Sequence, residues 1–180
     1  MNAATTPNSS SSSAKPATEE HPINTPSWHK DLPQPSQREI LNITADELAQ
    51  LIQDEEEKGL APGASRDFLV IDVRRADCET LIPGAINLPA HSFLPSLPSL
   101  LPLLSPIPLL IFHCGKNNGR GTRCAQWFSD ALEKDLGMKE EEIREKVKLL
   151  KGGHVGWVEK FGKVGLEKRA HREGLKALQL

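Results

Sequence analysis

The chain has 180 residues, enough for one ordinary domain with tails, and only 38% of them are hydrophobic. The 22 basic and 24 acidic residues leave a formal net charge of -2. This charge gives no electrostatic reason to expect nucleic acid or an anionic membrane as the main partner. Three cysteines without regular spacing exclude a disulfide scaffold and a zinc ribbon. We therefore expect a reduced protein of the cytoplasm or nucleus, with no resident metal or cofactor.

The N-terminal segment, residues 1–39, is rich in Ser, Pro, Thr and Asn and contains the run Ser9–Ser13. Such a composition cannot bury enough apolar surface to offset the entropy lost on ordering. The segment also lacks the apolar stretch of a secretory signal. We expect a disordered Ser/Pro-rich arm over residues 1–39.

The first predicted helix begins at Thr44, which forms a capping box with Glu47, and ends at Gly59. Two short apolar runs follow, and both predict strands. The first, Phe68–Val73, has the continuous apolar character of a strand that is buried on both faces. The second, Ala85–Leu88, follows a turn-rich stretch.

The segment Phe93–Phe112 is apolar enough to suggest a membrane-spanning helix, but it contains five prolines. A spanning helix with five prolines would lose too many backbone hydrogen bonds. We therefore expect no membrane span. The prediction here is a loop, a short helix and a buried strand over Pro108–His113, which leads directly into Cys114.

The remaining predicted elements are a helix over Gly121–Leu136, a charged surface helix over Met138–Lys146, a strand over Val147–Leu150 and a short helix ending near Phe161. Strands that alternate with helices predict an α/β fold, with a central, mostly parallel sheet and helices on both faces. This domain should span residues 40–162. The C-terminal tail, residues 163–180, is expected to add a peripheral helix.

The most informative stretch joins the strand before Cys114 to the helix that follows Arg120. Five residues separate Cys114 from Arg120. A short loop that curls from a strand into a helix directs backbone N–H groups and the positive helix end at one point. We expect this field to hold Cys114 as a thiolate. The planar guanidinium of Arg120 matches two oxygens of a phosphate-like anion.

The residues between Cys114 and Arg120 suit an anion-binding cradle: Gly115, Lys116, Asn117, Asn118 and Gly119. The two glycines allow positive φ and close approach of the backbone, and asparagine tolerates left-handed conformations better than most residues. Lys116 should lie at the rim and attract anions. The pattern predicts Cys114 as a nucleophile, with the loop amides and Arg120 stabilising the transition state.

Three segments resemble the rhodanese fold: FLVIDVR at 68–74, IPGAINLP at 82–89 and LKGGHVGW at 150–157. The loop HCGKNNGRGTRC resembles that of the cell-division-cycle (M-phase inducer) tyrosine phosphatases and of their small relatives, the fungal and plant arsenate reductases. The likeness is greatest to small fungal members. This resemblance implies a rhodanese-like catalytic domain. It also implies that Cys114 is the nucleophile and Arg120 the anion clamp.

The resemblance implies supporting roles for three more residues. Asp72 and Arg74 match a structural Asp-x-Arg of the family and should form an ion pair, and His113 should orient the loop and tune the thiolate. Sulfurtransferases of this fold have a loop one residue shorter, so the loop length here favours phosphate or arsenate.

Two features depart from the family pattern. The phosphatases often have an acidic residue in the loop, whereas this loop has none, so the general acid is unassigned, with Asp77 or Glu79 as candidates. The position of a protective cysteine is occupied by Val73, so a disulfide with Cys114 would need Cys78 or Cys124. For Cys124 we favour core packing, and we interpret His154 as a surface turn residue.

Four functions remain open. The leading hypothesis is a tyrosine or dual-specificity phosphatase that acts on a phosphorylated protein through a phosphocysteine intermediate. The second is an arsenate reductase that uses the small oxyanion as substrate, with glutathione as co-substrate or glutaredoxin as partner. Thiosulfate sulfurtransfer and a non-catalytic phospho-binding module are the other two.

Overall fold

The computed structural model describes Met1, residues 29–59 and residues 66–168. Five parallel strands form the central sheet: β1 (Leu41–Ile43), β2 (Phe68–Asp72), β4 (Ile86–Asn87), β5 (Leu109–His113) and β6 (Val147–Leu150). Their order is β1-β6-β5-β2-β4. Two further strands, β3 (Thr80–Leu81) and β7 (Glu167–Lys168), pair antiparallel beside it.

Helices cover both faces of the sheet. The first face carries α1 (Ala45–Lys58) and α5 (Gly153–Phe161), and the second carries α2 (Ala90–Leu104), α3 (Arg120–Leu136) and α4 (Glu140–Lys146). In the buried strand β2 alternate side chains enter the two cores, since Val70 packs on the first face and Ile71 on the second. The predicted α/β fold with a parallel sheet is therefore confirmed.

Local signals determine where α1 begins and ends. The Thr44 hydroxyl accepts a hydrogen bond from the Glu47 amide at 3.2 Å, and the Glu47 carboxylate accepts one from the Thr44 amide at 2.7 Å. Gly59 ends the helix in the left-handed conformation with φ 56°. The predicted capping box and terminating glycine are confirmed.

The apolar, proline-rich segment forms a longer helix than predicted. Residues Ala90–Leu104 are helical despite the internal prolines Pro95, Pro98 and Pro102. All three prolines lie on the exposed side of α2, where water can satisfy the carbonyl groups that lose an N–H partner. The opposite side buries Phe93, Leu97, Leu101 and Leu104. No helix in the described ranges is both long and apolar enough to cross a membrane.

The N-terminal boundary of the domain differs from the prediction. We call residues 29–38 the strap, because this segment runs across α3 and Leu32 packs against the main core cluster. Residues 29–39 therefore belong to the folded part of the chain, since polar bonds to α3 replace the apolar burial that their composition lacks. The rest of the predicted arm, residues 2–28, lies outside the described residues.

In the described part of the predicted C-terminal tail, residues 163–168, the structure has no α-helix. A 3-10 turn, Lys163–Gly165, follows Gly162, and β7 then pairs with β3. The Trp157 indole N–H donates to the Gly165 carbonyl at 2.9 Å and fixes this turn against α5. Residues 169–180 lie outside the described residues.

Candidate active site

The cysteine loop lies at the carboxyl end of the central strand of the sheet, where open α/β sheets place their ligands. Cys114 follows β5 directly, and Arg120 is the first residue of α3. Cys114 is only 4% exposed and lines the bottom of a cleft of about 500 Å³. The other residues that line it are His29, Gly115, Lys116, Asn118, Gly119, Arg120, Arg123 and Val155.

The loop leaves several backbone donors available to a ligand. Within the described residues, five loop N–H groups donate to no protein acceptor, those of Gly115, Lys116, Asn117, Asn118 and Gly119. The first turn of α3 begins immediately after them, so the positive end of the helix dipole lies beside the same space. The arrangement fits a small oxyanion held over the sulfur of Cys114.

The Asn117 side chain supports the loop from within, and Asn117 is not among the described residues that line the cleft. Its predicted place in the substrate cradle, through the backbone, stays a prediction. Its side-chain Oδ1 accepts from the Cys114 amide at 2.6 Å, and its Nδ2 donates to the Leu150 carbonyl. Asn117 has φ 57°, whereas Gly115 and Gly119 do not adopt the left-handed conformation. A Cβ on Gly121 would lie 2.5 Å from Asn117 Oδ1, so this glycine makes room for the asparagine.

The start of α5 holds the other side of the loop. The amide of His154 donates to the Cys114 carbonyl and that of Val155 to the Gly115 carbonyl, both at 2.9 Å. Gly153 has φ +60°, and a Cβ there would lie 2.7 Å from each of the same two carbonyl oxygens. Only glycine fits this position. The site therefore depends on a segment 39 residues further along the chain, as 153 follows 114.

Asp72 and Arg74 form the ion pair that the family resemblance implies. Arg74 Nη2 lies 2.6 Å from Asp72 Oδ2, and Arg74 Nε donates to the same oxygen at 2.8 Å. The Asp72 side chain is fully buried, and Arg74 also donates to the Thr80 carbonyl. The pair connects the end of β2 to β3, and Asp72 lies beside His113, the residue before Cys114.

Two histidines lie beside this ion pair. His113 is fully buried, with Nδ1 3.2 Å from the Cys114 carbonyl oxygen and Nε2 3.9 Å from Asp72 Oδ2. The ring of His154 lies nearly parallel to that of His113, with centroids 6.4 Å apart. His154 is half-buried beside the site and is not the surface turn residue that we predicted. Its backbone is held at the site by the bond from its amide to the Cys114 carbonyl.

Both imidazoles favour the neutral form. Burial lowers the pKa of His113, and burial together with the Arg74 charge lowers the pKa of His154 to about 4. A neutral His113 contacts the loop through Nδ1, which lies 3.2 Å from the Cys114 carbonyl oxygen, and adds no positive charge near the sulfur. The contact with the Cys114 carbonyl fits the predicted orienting role of His113, and its predicted tuning of the thiolate stays a prediction.

The wall of the cleft is cationic. Lys116 is exposed at the rim, and Arg120 and Arg123 line the side that α3 forms. No carboxylate is among the described residues that line the cleft. Asp77, a candidate general acid, has a side chain 71% exposed and pairs with Arg75 outside the cleft, and Glu79 does not line it either.

The two other cysteines differ in position. Cys124 lies on α3 in the core cluster that also contains Cys114, and burial raises the pKa of its thiol. This supports the packing role that we favour. Cys78 is half-buried on the segment between β2 and β3 and does not line the cleft. A redox pairing of either with Cys114 stays a prediction.

Fold and loop together define an α/β domain with a cysteine at the carboxyl end of its central strand and an arginine at the start of the next helix. The Rhodanese-like domain family matches residues 44–160, well over half of the chain. The chain belongs to the rhodanese-like domain family.

Two curated proteins are similar in sequence. "Dual specificity phosphatase ibp1" of Schizosaccharomyces pombe is 29% identical over 117 residues, which cover 58% of this chain and 85% of the relative. "Arsenate reductase 2.1" of Oryza sativa subsp. japonica is 32% identical over 90 residues, which cover 49% of this chain and 54% of the relative. These relatives are named for phosphatase and reductase activity.

Two solved structures share the fold. The As-Sb reductase from Leishmania major superposes with a TM-score of 0.55 at 22% identity and covers 76% of this chain and 90% of its own. A yeast protein tyrosine phosphatase of the rhodanese family superposes with a TM-score of 0.52 at 20% identity and covers 73% of this chain and 93% of its own. At these identities the likeness supports the fold alone.

Proposed function

We propose that this protein is a cysteine-dependent phosphatase that hydrolyses phosphotyrosyl or related phosphomonoesters. One observation carries the proposal: Cys114 lies at the bottom of a cationic cleft, beneath loop N–H groups that have no acceptor in the described protein, with Arg120 beside it. A phosphoryl dianion would satisfy those donors. Its negative charge would match the three cations of the cleft.

The proposed reaction has two steps. The Cys114 thiolate attacks phosphorus, the bond from phosphorus to the ester oxygen breaks, and the departing oxygen leaves with the electron pair and takes up a proton. Water then attacks the phosphocysteine, which releases inorganic phosphate and restores the thiolate. The loop amides and Arg120 stabilise the charge on the transferring oxygens in both steps.

The test is hydrolysis of an aryl phosphate by the full chain. We expect the wild type to release the phenol and Cys114→Ser to fall to the uncatalysed rate, because a hydroxyl is not ionised at neutral pH. The matched control is Cys78→Ser, because Cys78 does not line the cleft, and this variant should retain activity. Rapid acid quenching should trap a phosphoenzyme in the wild type. Equal rates for wild type and Cys114→Ser would refute the proposal.

Arsenate reduction is the second candidate, favoured by the absence of a carboxylate from the described cleft lining. Arsenate has the shape and charge of phosphate, so the same cradle would hold it. Cys114 would attack arsenic with loss of water, and two thiol electrons, from Cys114 and glutathione, would reduce As(V) to As(III) as a mixed disulfide forms. Glutathione or glutaredoxin would then restore the Cys114 thiol.

The arsenate assay couples glutathione and glutaredoxin to NADPH consumption through glutathione reductase. Arsenate-dependent oxidation of NADPH by the wild type, absent in Cys114→Ser, supports this second activity. If the aryl phosphate is hydrolysed but NADPH oxidation does not depend on arsenate, only the phosphatase proposal is retained. Because either reaction needs a reduced Cys114, we also propose that the protein acts in the cytoplasm or nucleus.

A further inference from the structure

The strap brings a titratable side chain to the cleft from outside the family match. His29 lines the cleft together with Cys114 and Arg120, although it lies 85 residues before Cys114, as 29 precedes 114. The matched domain begins only at residue 44. A residue from beyond the common domain therefore forms part of this active-site wall.

Polar contacts hold the strap along one side of α3. The Trp127 indole N–H donates to the Pro33 carbonyl at 2.9 Å, and Arg123 Nη1 donates to Gln34 Oε1 at 2.7 Å. The Ser36 amide donates to Asp130 Oδ2 at 2.8 Å. At the cleft end, the Leu32 amide donates to the His29 carbonyl at 3.1 Å and closes a turn. The strap is therefore anchored beside the cysteine loop, which immediately precedes α3.

The proposed phosphatase reaction needs a proton donor for the departing ester oxygen. Among the described residues that line the cleft, Lys116, Arg120 and Arg123 are cations of high ordinary pKa, and none is a carboxylate. Arginine in particular does not give up its proton in proteins. Histidine is the side chain that can hold and release a proton near neutral pH. His29 is the one such side chain in that lining.

We propose that His29 is the general acid of the reaction, an inference that rests on the proposed phosphatase function. As Cys114 attacks and the bond between phosphorus and the leaving oxygen breaks, the His29 imidazolium transfers a proton to that oxygen, so an alcohol or phenol departs and His29 is left neutral. In the second step water attacks the phosphocysteine and gives its proton to His29. The cycle consumes one ester and one water, yields one alcohol and one phosphate, and restores both side chains.

The experiment compares two leaving groups, because acid catalysis matters more for a poor leaving group. For His29→Gln we expect kcat/KM for phenyl phosphate to fall about 100-fold or more. For p-nitrophenyl phosphate, whose phenol leaves readily without a proton, we expect a fall of less than about tenfold. A plot of log kcat/KM against leaving-group pKa should become steeper in the variant. His91→Gln, an exposed histidine on α2, is the matched control and should match the wild type.

The outcomes separate this inference from the proposed function. If His29→Gln loses the same factor for both phosphates, His29 only shapes the cleft and the proposal is overturned, while the phosphatase function stands. If the wild type hydrolyses neither phosphate, the proposed function fails and the general acid with it. Circular dichroism and unfolding curves that match the wild type verify that His29→Gln is folded.

Discussion

The two sides of the cysteine loop differ in how they are built. The inner side, which we call the buttress, consists of five residues: Asp72, Arg74, His113, Gly153 and His154. They are mostly buried and contact one another or the loop backbone. The outer side presents Lys116, Asn118 and Arg123 to the cleft, and Lys116 and Asn118 are exposed. One side holds the loop in shape, and the other faces the cleft in which we propose that the substrate binds.

This difference separates two kinds of mutational effect. Inner residues satisfy buried polar groups, so a change there should cost folding free energy and activity together. Outer residues act through exposed charge, so a change there should alter substrate binding and leave stability unchanged. The four predictions below test this division, beginning with the largest expected effect.

The largest effect is expected from Arg74→Ala. Asp72 is fully buried and loses its main ionic partner, so we expect the free energy of unfolding to fall by about 4 kcal/mol. The matched control is Arg75→Ala, because Arg75 has a side chain 76% exposed and its ion pair is with the exposed Asp77. It should change stability by less than about 0.5 kcal/mol. Urea unfolding measures both, and equal losses would contradict the division.

Gly153→Ala should have the next largest effect. The added Cβ would meet two loop carbonyl oxygens at 2.7 Å in a left-handed conformation, so we expect about 3 kcal/mol of destabilisation and a large loss of activity. Gly137→Ala is the control, because it has φ +66° with no atom within 4 Å of its Cβ. It should cost about 1 kcal/mol and keep full activity per folded molecule. Unfolding curves and kcat of the two variants separate the steric clash at Gly153 from the backbone strain that both positions share.

Acid should weaken the buttress through its histidines. The pKa of His154 is about 4 in the folded protein and 6.5 ordinarily, so the unfolded chain binds more protons between these values. Stability should therefore be complete above pH 6.5 and fall as the pH drops toward 4. His154→Gln cannot take up this proton, so its stability should depend less on pH over the same range. Identical pH profiles from urea unfolding would remove His154 from the buttress.

The smallest effect on stability is expected on the outer side. Lys116→Ala should raise KM for an aryl phosphate about threefold, leave kcat and the melting temperature unchanged, and lose this difference at high salt. Lys134→Ala, an exposed lysine near the far end of α3, is the control and should leave KM unchanged. A fall in melting temperature for Lys116→Ala would show that the outer side also holds the loop.

Sequence alone predicted the features that depend on neighbours in the chain. The capping box of Thr44 and Glu47, the terminating Gly59 and the buried strand that leads into Cys114 follow from hydrogen bonds and periodicities spanning a few residues. The cradle of unsatisfied loop amides follows from a short strand-to-helix loop, so it was also predictable. The ion pair of Asp72 and Arg74 came from the family resemblance, because its two residues lie only two positions apart in one short motif.

Tertiary structure decided the features that depend on distant segments. β1 has only three residues and gains its hydrogen bonds from β6, so no local pattern marks it. The Asn117 side chain turns inward because the Leu150 carbonyl supplies its acceptor, and the His154 backbone is held at the site by the bond from its amide to the Cys114 carbonyl. The strap was predicted to be disordered because its composition offers little apolar surface to bury. Hydrogen bonds to polar groups of α3 order it instead. Composition and periodicity do not encode which distant carbonyl or carboxylate a donor will meet, and only the folded chain supplies that partner.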